Sequence, residues 1–310
     1  MPEHGGPGVL EPREVERPEL QVDEVLIRVA AAGLNPVDTQ VRSGDWVLEE
    51  MGEPPMILGW DVAGTVEEVG DAVSGFAPGD RVFGMPRFPA LARCNAEYVA
   101  APSGHIAPTP DSLDDVQAGA LPLAGLTAWQ GLVGTAGVGE GDRVLIQAAA
   151  GGVGHLAVQI AKARGAHVIG TARAEKHDFL RGLGVDEPVD YTAGPIEETV
   201  PPVDVVLDTV SEDDAGLLGS VAALRKAGTL VVIAGDLTER VSDAAAQRGV
   251  RATEILVQPD QSGLAALASL ADEDRLRVVV EESFLFERAA EAHERLEAGR
   301  VKGKLVLTPA

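Results

Sequence analysis

A chain of 310 residues with 45% hydrophobic content is long enough for two domains with real cores, and an aromatic share of 4% leaves those cores to Val, Leu, Ala and Ile. The formal net charge of −24 lacks the basic footprint that nucleic acid or an anionic membrane surface requires, so neither is expected as a partner. The single cysteine, Cys94, excludes an internal disulfide and a four-cysteine zinc lobe and reads as an ordinary thiol; with no membrane-length apolar run and no apolar stretch in MPEHGGPGVLEPREVERPEL, a cytoplasmic protein is expected.

Residues 22–31 (VDEVLIRVAA) alternate, which puts Val25, Ile27 and Val29 on one face of a strand. The loop Gly33-Leu34-Asn35-Pro36-Val37-Asp38 and the polar turn Arg42-Ser43-Gly44-Asp45 follow. In 59–85, Val62, Gly64 and Val66, and later Arg81-Val82-Phe83, predict two short strands of a small twisted barrel. At Ser112-Leu113-Asp114-Asp115 the texture changes to a capped helix start with acids in the first turn, and 127–132 is a second helical stretch. Short apolar runs at Val144, Val168, Val189, Val203–Asp208 and 229–233 alternate with helical segments, the pattern of a doubly wound parallel sheet. Residues 286–296 read as an amphipathic helix and 303–307 as a last strand that returns to the first domain.

The stretch 142–173 carries the most chemistry. Val144, Leu145 and Ile146 form a buried strand, Ala149-Ala150-Gly151-Gly152-Val153-Gly154 turns the chain, and Val153, Leu156, Ala157, Ile160 and Ala161 recur at helical spacing. A strand, a glycine turn and a helix in that order form a dinucleotide-binding crossover, in which backbone amides at the helix start receive a pyrophosphate. Ala149 stands where the first motif glycine is usual. At the end of the next strand an Asp or Glu would select NAD; here stand Thr171, Ala172 and Arg173, with Lys176 a turn later. Small neutral residues leave room for a 2′-phosphate and the cations can hold it, so NADPH is the expected cofactor, although Arg173 and Lys176 also suit a solvated helix start.

GLNPVDTQVRSG (33–44), GWDVAGTVEEVG (59–70), APGDRVFG (77–84), LPLAGLTAWQGL (121–132), GDRVLIQAAAGGVGHLAVQIAK (142–162) and GKLVL (303–307) occur in the order found in a known family. The chain resembles the zinc-independent quinone oxidoreductase branch of the medium-chain dehydrogenase/reductases. The resemblance implies an α/β fold with a Rossmann doubly wound parallel sheet and a β-rich GroES-like barrel. The substrate domain would take 1–113 and 272–310 and the NADP-binding domain 114–271, usually in a homodimer or tetramer, the homodimer being expected here. The family's first strand would precede His4, where only three residues stand.

Zinc-dependent relatives supply a Cys in the loop held here by Gly33-Leu34-Asn35, and a His-Glu pair in place of Trp60-Asp61; this set does not make a zinc site. None of the six histidines has metal-ligand spacing to another, and His177 and His293 are expected to be exposed on helices. By resemblance Asn35 is a polar substrate contact, Asp38 orients it or caps the helix, Gln40 replaces a frequent Tyr, and Thr127 lies near the nicotinamide. Ala150, Gly151, Gly152, Val153, Gly154, Thr171, Arg173, Lys176, Tyr191, Ala234 and Lys304 would bind NADPH. Trp46, Met51, Trp60 and Met85 suit either a substrate cleft or plain core. The expected activity is hydride transfer from NADPH to a small-molecule quinone, or to the C=C bond of an enone, with no metal. The rival reading is an NADPH-binding protein without turnover.

Overall fold

The computed structural model describes residues 1–49 and 51–310. In chain order the elements are β1 (Glu24–Leu34), α1 (Pro36–Ser43), β2 (Val62–Val69), β3 (Arg81–Gly84), β4 (Tyr98–Pro102), β5 (Ile106–Pro108), α2 (Asp115–Ala120) and α3 (Pro122–Trp129). Then come β6 (Arg143–Ile146), α4 (Gly154–Ala163), β7 (His167–Ala172), α5 (His177–Gly182), β8 (Glu187–Asp190), α6 (Ile196–Thr199), β9 (Val203–Asp208), α7 (Asp214–Ala223), β10 (Leu224–Val232), α8 (Glu239–Arg248) and β11 (Arg251–Glu254). The chain closes with α9 (Gln261–Asp272), β12 (Val280–Leu285), α10 (Ala289–Glu297) and β13 (Lys304–Thr308). No helix among the described residues is long and apolar enough to cross a membrane.

Packing divides the chain into two compact units: Met1–Leu126 with Gln258–Asp274 and Val278–Ala310, and Thr127–Val257 with Arg275–Arg277. The first contains a seven-stranded sheet in the order β12-β13-β1-β2-β3-β5, with β4 also paired to β1. Its centre is β1, and only Arg28 of that strand is exposed. The alternation at 22–31 pointed to one buried face, but residues on both faces of β1 are buried; β2, β4 and β13 pair along its edges and α2 packs against it. Gly119 allows that approach, because a Cβ there would stand 2.8 Å from Ala31 Cβ. The helix start read at Ser112–Asp115 is present: Asp114 Oδ1 accepts the Gln117 amide at 2.8 Å, and Gln117 Oε1 accepts the Asp114 amide at 3.2 Å. Both α2 and α9 belong to this first unit.

Two histidines expected on the surface are not fully exposed. His293 is fully buried rather than exposed, because α10 packs on α1 and on the turn near Pro7. Its Nδ1 lies 3.4 Å from the buried Arg42 guanidinium, which also donates to Gly5 O at 3.0 Å and to Glu297 Oε1 at 2.6 Å. His177 is half-buried, with a buried Nε2 that has no hydrogen-bond partner. Trp60 and Met85 are core residues: the Trp60 indole donates to Ala90 O at 2.8 Å and meets Phe88 edge-on, while the half-buried Trp46 stacks on Phe88. Met51 is buried as well.

The second unit is a six-stranded, all-parallel sheet in the order β11-β10-β9-β6-β7-β8. Leu145, Ile169, Val206, Leu230 and Val232 make its core. The strand order reverses between β6 and β9, the switch point at which such sheets open a crevice at their carboxyl ends.

With Asp and Glu at 49 against Lys and Arg at 25, the surface repels itself. Raising NaCl from low to near-molar concentration is therefore expected to raise the thermal midpoint by about 3 °C or more, read by calorimetry. A midpoint that stays level or falls would show that local ion pairs already balance the field.

Candidate functional site

The carboxyl ends of the strands in the second unit gather nearly all the residues that the motif reading assigned to a cofactor. After β6 the chain turns at Ala148, whose φ of 45° is left-handed. The turn is pinned: Thr171 Oγ1 accepts the Ala148 amide at 3.0 Å, Thr171 O accepts the Ala149 amide at 2.9 Å, and Ala148 O accepts the Gly151 amide at 2.9 Å. Thr171 thus serves the site by shaping the turn, and its side chain is buried in doing so.

The amides of Ala150, Gly152 and Val153 have no protein acceptor among the described residues. They stand at the start of α4, where unpaired N–H groups and the helix dipole favour an anion. Gly154 makes this possible, because a Cβ there would lie 2.3 Å from Ala148 O and 2.7 Å from Ala149 Cα. The His155 ring, close to Gly151 O at 2.9 Å, is buried behind the turn.

Past β7 and β8, Arg173 Nε donates to Tyr191 Oη at 3.0 Å. Both side chains are exposed, and the phenol pulls the guanidinium pKa further up, so this is a permanent cation with one face to solvent. Lys176 is half-buried in the turn that follows Arg173, and Ala234 is exposed just beyond β10. A cavity of about 300 Å³ adjoins Tyr191 and is lined by Gln147, Ile196, Ser211, Gly216 and Gly219. Its floor is ordered by polar contacts: Gln147 Nε2 donates to Asp208 Oδ2 at 2.7 Å, and Asp208 Oδ1 accepts the Ser211 amide at 2.9 Å. Ser220 Oγ completes the set, 2.6 Å from both Gln147 Nε2 and Asp208 Oδ2. Sequence reading missed this triad; the one signal was an Asp at the end of an apolar strand.

The first unit holds the other set. Lys304 lies in this unit, where its ammonium is buried and donates to Leu34 O at 2.9 Å, to Asn35 Oδ1 and to Asp61 Oδ2 at 3.4 Å. Asn35 is buried too, and its Nδ2 donates to Asp61 Oδ2 at 2.8 Å and to Gly33 O at 3.3 Å. Asp61 Oδ1 accepts the Leu123 amide at 2.6 Å. Asp38, in the first turn of α1, accepts the Asn35 amide at 2.8 Å. The Asn35 side chain is thus engaged at both ends, and Asp38 performs the cap. Gln40 is exposed on α1 with no side-chain hydrogen bond, whereas Thr127 is buried on α3.

Burial raises the Asp38 pKa to about 7, the Asn35 amide opposing and Asp61 adding to the rise. Burial likewise pushes Asp61 up and Lys304 down, and each opposes the other's shift. The Cys94 thiol is buried, and its burial together with Asp61 and Asp38 raises its pKa well above the usual range, so it is no nucleophile.

Zinc does not fit this donor set. Both Asp61 oxygens already accept N–H groups, an ammonium sits among them, and no three His, Cys, Asp or Glu among the described residues converge to hold a metal. A side chain in place of Gly33 would meet Asp61 Oδ2 at 2.6 Å.

Comparison with known proteins bears on both sets. Residues 21–111 match a family described as the alcohol dehydrogenase GroES-like domain, and residues 183–307 one described as zinc-binding dehydrogenase. The chain is 35% identical to the NADPH-dependent alkenal/one oxidoreductase of Arabidopsis thaliana over 325 residues, covering 99% of this chain and 78% of that protein. Its fold is similar to that of the Coxiella burnetii quinone oxidoreductase, with a TM-score of 0.92, 38% identity and coverage of 99% and 97%. It is also similar to the Escherichia coli quinone oxidoreductase in complex with NADPH, with a TM-score of 0.87, 29% identity and coverage of 99% and 98%.

Proposed function

The chain belongs to the zinc-independent quinone oxidoreductase branch of the medium-chain dehydrogenase/reductase family, and from that premise we propose that it is an NADPH-dependent reductase of quinones and enones. The observation that carries this reading is the row of open amides at Ala150, Gly152 and Val153, with the Arg173–Tyr191 pair at the neighbouring strand ends. The amides suit a pyrophosphate, and the exposed guanidinium suits a ribose 2′-phosphate. The cavity beside Tyr191 has the apolar wall and polar floor that an adenosine needs.

Bound there, the reduced nicotinamide supplies a hydride. The remaining needs are orientation, a donor for the oxygen that gains charge, and a proton, which water can supply. On α1 the free amide of Gln40 is the group able to donate to a substrate oxygen, and Asn35 and Asp38 hold the start of that helix. Thr127 stands near the nicotinamide by family correspondence. We take the first unit as the substrate domain, the second as the cofactor domain, and the active form as a cytoplasmic homodimer; light scattering that gives the monomer mass would remove the last.

The test is NADPH and NADH oxidation in parallel with 1,4-benzoquinone, 9,10-phenanthrenequinone and a simple enone. Turnover is expected with NADPH and at most weakly with NADH, and the best acceptor ranks quinone against enone. Tight NADPH binding without reduction of any acceptor would favour a non-catalytic binder. Changing Arg173→Glu places an anion where the 2′-phosphate is expected, so KM for NADPH should rise roughly tenfold or more while that for NADH changes little. Equal effects on both cofactors would move the 2′-phosphate site elsewhere.

A further inference from the structure

We propose that Lys304 and Asp61 are positioning residues of the reductase: a buried ammonium–carboxylate pair that sets the orientation of the Asn35 amide and thereby the loop 33–35 and the first turn of α1. The inference rests on the reductase reading above and names residues that act through others rather than on the acceptor itself.

The two ends of the Asn35 amide differ in chemistry but hardly in shape. Its Nδ2 faces the Asp61 carboxylate at 2.8 Å and its Oδ1 faces the Lys304 ammonium. A flip would turn the amide oxygen toward an anion and its N–H groups toward a cation, so the charges permit one orientation only. Lys304 adds a second hold on the same loop through Leu34 O at 2.9 Å. Asp61 ties the loop to the start of α3 through the Leu123 amide at 2.6 Å. Loop 33–35, the residue before β2, the first residue of β13 and the start of α3 are therefore joined at one ion pair. From that loop runs α1, with the Asp38 carboxylate accepting the Asn35 amide at its first turn and the free Gln40 amide on its exposed side.

Stability alone does not account for such a pair. A buried ion pair is often matched or bettered by apolar side chains of similar volume, because desolvation offsets the attraction. What apolar residues cannot provide is a preference between the two ends of an amide. The donor set that refuses zinc thus carries a fixed organic cation, and its service is direction.

The double variant Lys304→Met/Asp61→Leu removes both charges and leaves no unpaired ion. It is expected to melt below the wild type, because the Leu123 amide and the Asn35 side chain lose these partners, but to stay folded and to bind NADPH equally well, measured by cofactor fluorescence. Its kcat for the best acceptor should fall at least tenfold, with KM for NADPH unchanged. Each single variant should melt well below the double. Lys304→Gln/Asp61→Asn keeps volume and hydrogen-bonding groups but lets the Asn35 amide take either orientation, and should also lose kcat. Wild-type kcat in either folded double variant overturns the proposal, as does failure of both to fold, since the pair would then be structural only. A wild-type protein that binds NADPH but reduces no acceptor would instead defeat the reductase reading, a result read before any variant is made.

Discussion

Changing Gly154 to alanine is expected to weaken NADPH binding about 100-fold and to lower the thermal midpoint as well. The new Cβ would stand 2.3 Å from Ala148 O and 2.7 Å from Ala149 Cα, and neither atom has freedom to retreat. Ala148 and Ala149 are both tied to Thr171, and Ala148 already has a φ of 45°. The helix must therefore back away by about 1 Å to reach ordinary contact distance. That displacement carries the amides of Gly152 and Val153 with it, and misplacement on this scale commonly costs about two orders of magnitude. Gly151→Ala is the informative contrast. Its Cβ would meet only Ala148 O, at 3.3 Å, so the fold should tolerate it while the side chain crowds the pyrophosphate. Fluorescence titration and calorimetry on both variants separate the two roles. Wild-type affinity in Gly154→Ala would mean that the turn is not the phosphate cradle.

Acid is expected to act on this protein through two buried groups of opposite sign. Burial and the neighbouring Arg42 push the His293 pKa down to about 4, with Glu297 opposing. An unfolded histidine takes up its proton near pH 6.5, so the native state falls behind in proton uptake as pH drops from about 6.5 to about 4. Stability from the neutral imidazole is present above that window and lost within it, to a limit of roughly 3 kcal/mol. Asp38 works in reverse. Its pKa of about 7 exceeds the unfolded value of 3.8, so its contribution is full below 3.8 and disappears as pH rises through 7. The limit is roughly 4 kcal/mol, and the two nearly cancel between pH 4 and 7.

Variants make them visible. In Asp38→Asn the free energy of unfolding should itself fall by roughly 3 kcal/mol on going from pH 7 to pH 4, because the histidine acts alone. In His293→Gln it should rise by a similar amount over the same range. Denaturant melts at several pH values provide the check, and parallel curves for all three proteins would refute the assignment.

The acid response draws on both ends of α1, Asp38 at its first turn and His293 against its far end. The Asn35, Asp61 and Lys304 cluster lies at the start of α1, while Arg42, His293 and Glu297 hold its far end to α10. Helix α1 is thus fixed at both ends by buried charge, which leaves Gln40 on a rigid support.

Much of this was legible in the order of residues. Apolar runs of strand length separated by helical spacing require a parallel sheet, because each strand must be covered on both faces. The turn that we assign to the cofactor was legible for a local reason: a tight turn, a close helix and open amides need small residues at fixed spacing, and Ala149 to Gly154 supply them. Arg173 could be named because the end of the second strand of such a crossover meets the ribose, whereas Tyr191 was named only through the family resemblance. The tertiary structure alone decided the fate of charged residues that lie far apart in the chain. Lys304 is 269 residues from Asn35, and nothing local distinguishes a lysine that opens a strand into solvent from one that ends on a buried carboxylate. His293 looked like a surface residue on an amphipathic helix until α10 was seated on α1 and the guanidinium of Arg42. Local pattern determines which face of an element is apolar; what covers that face, and which charges are shut in with it, depends on contacts between segments remote in sequence.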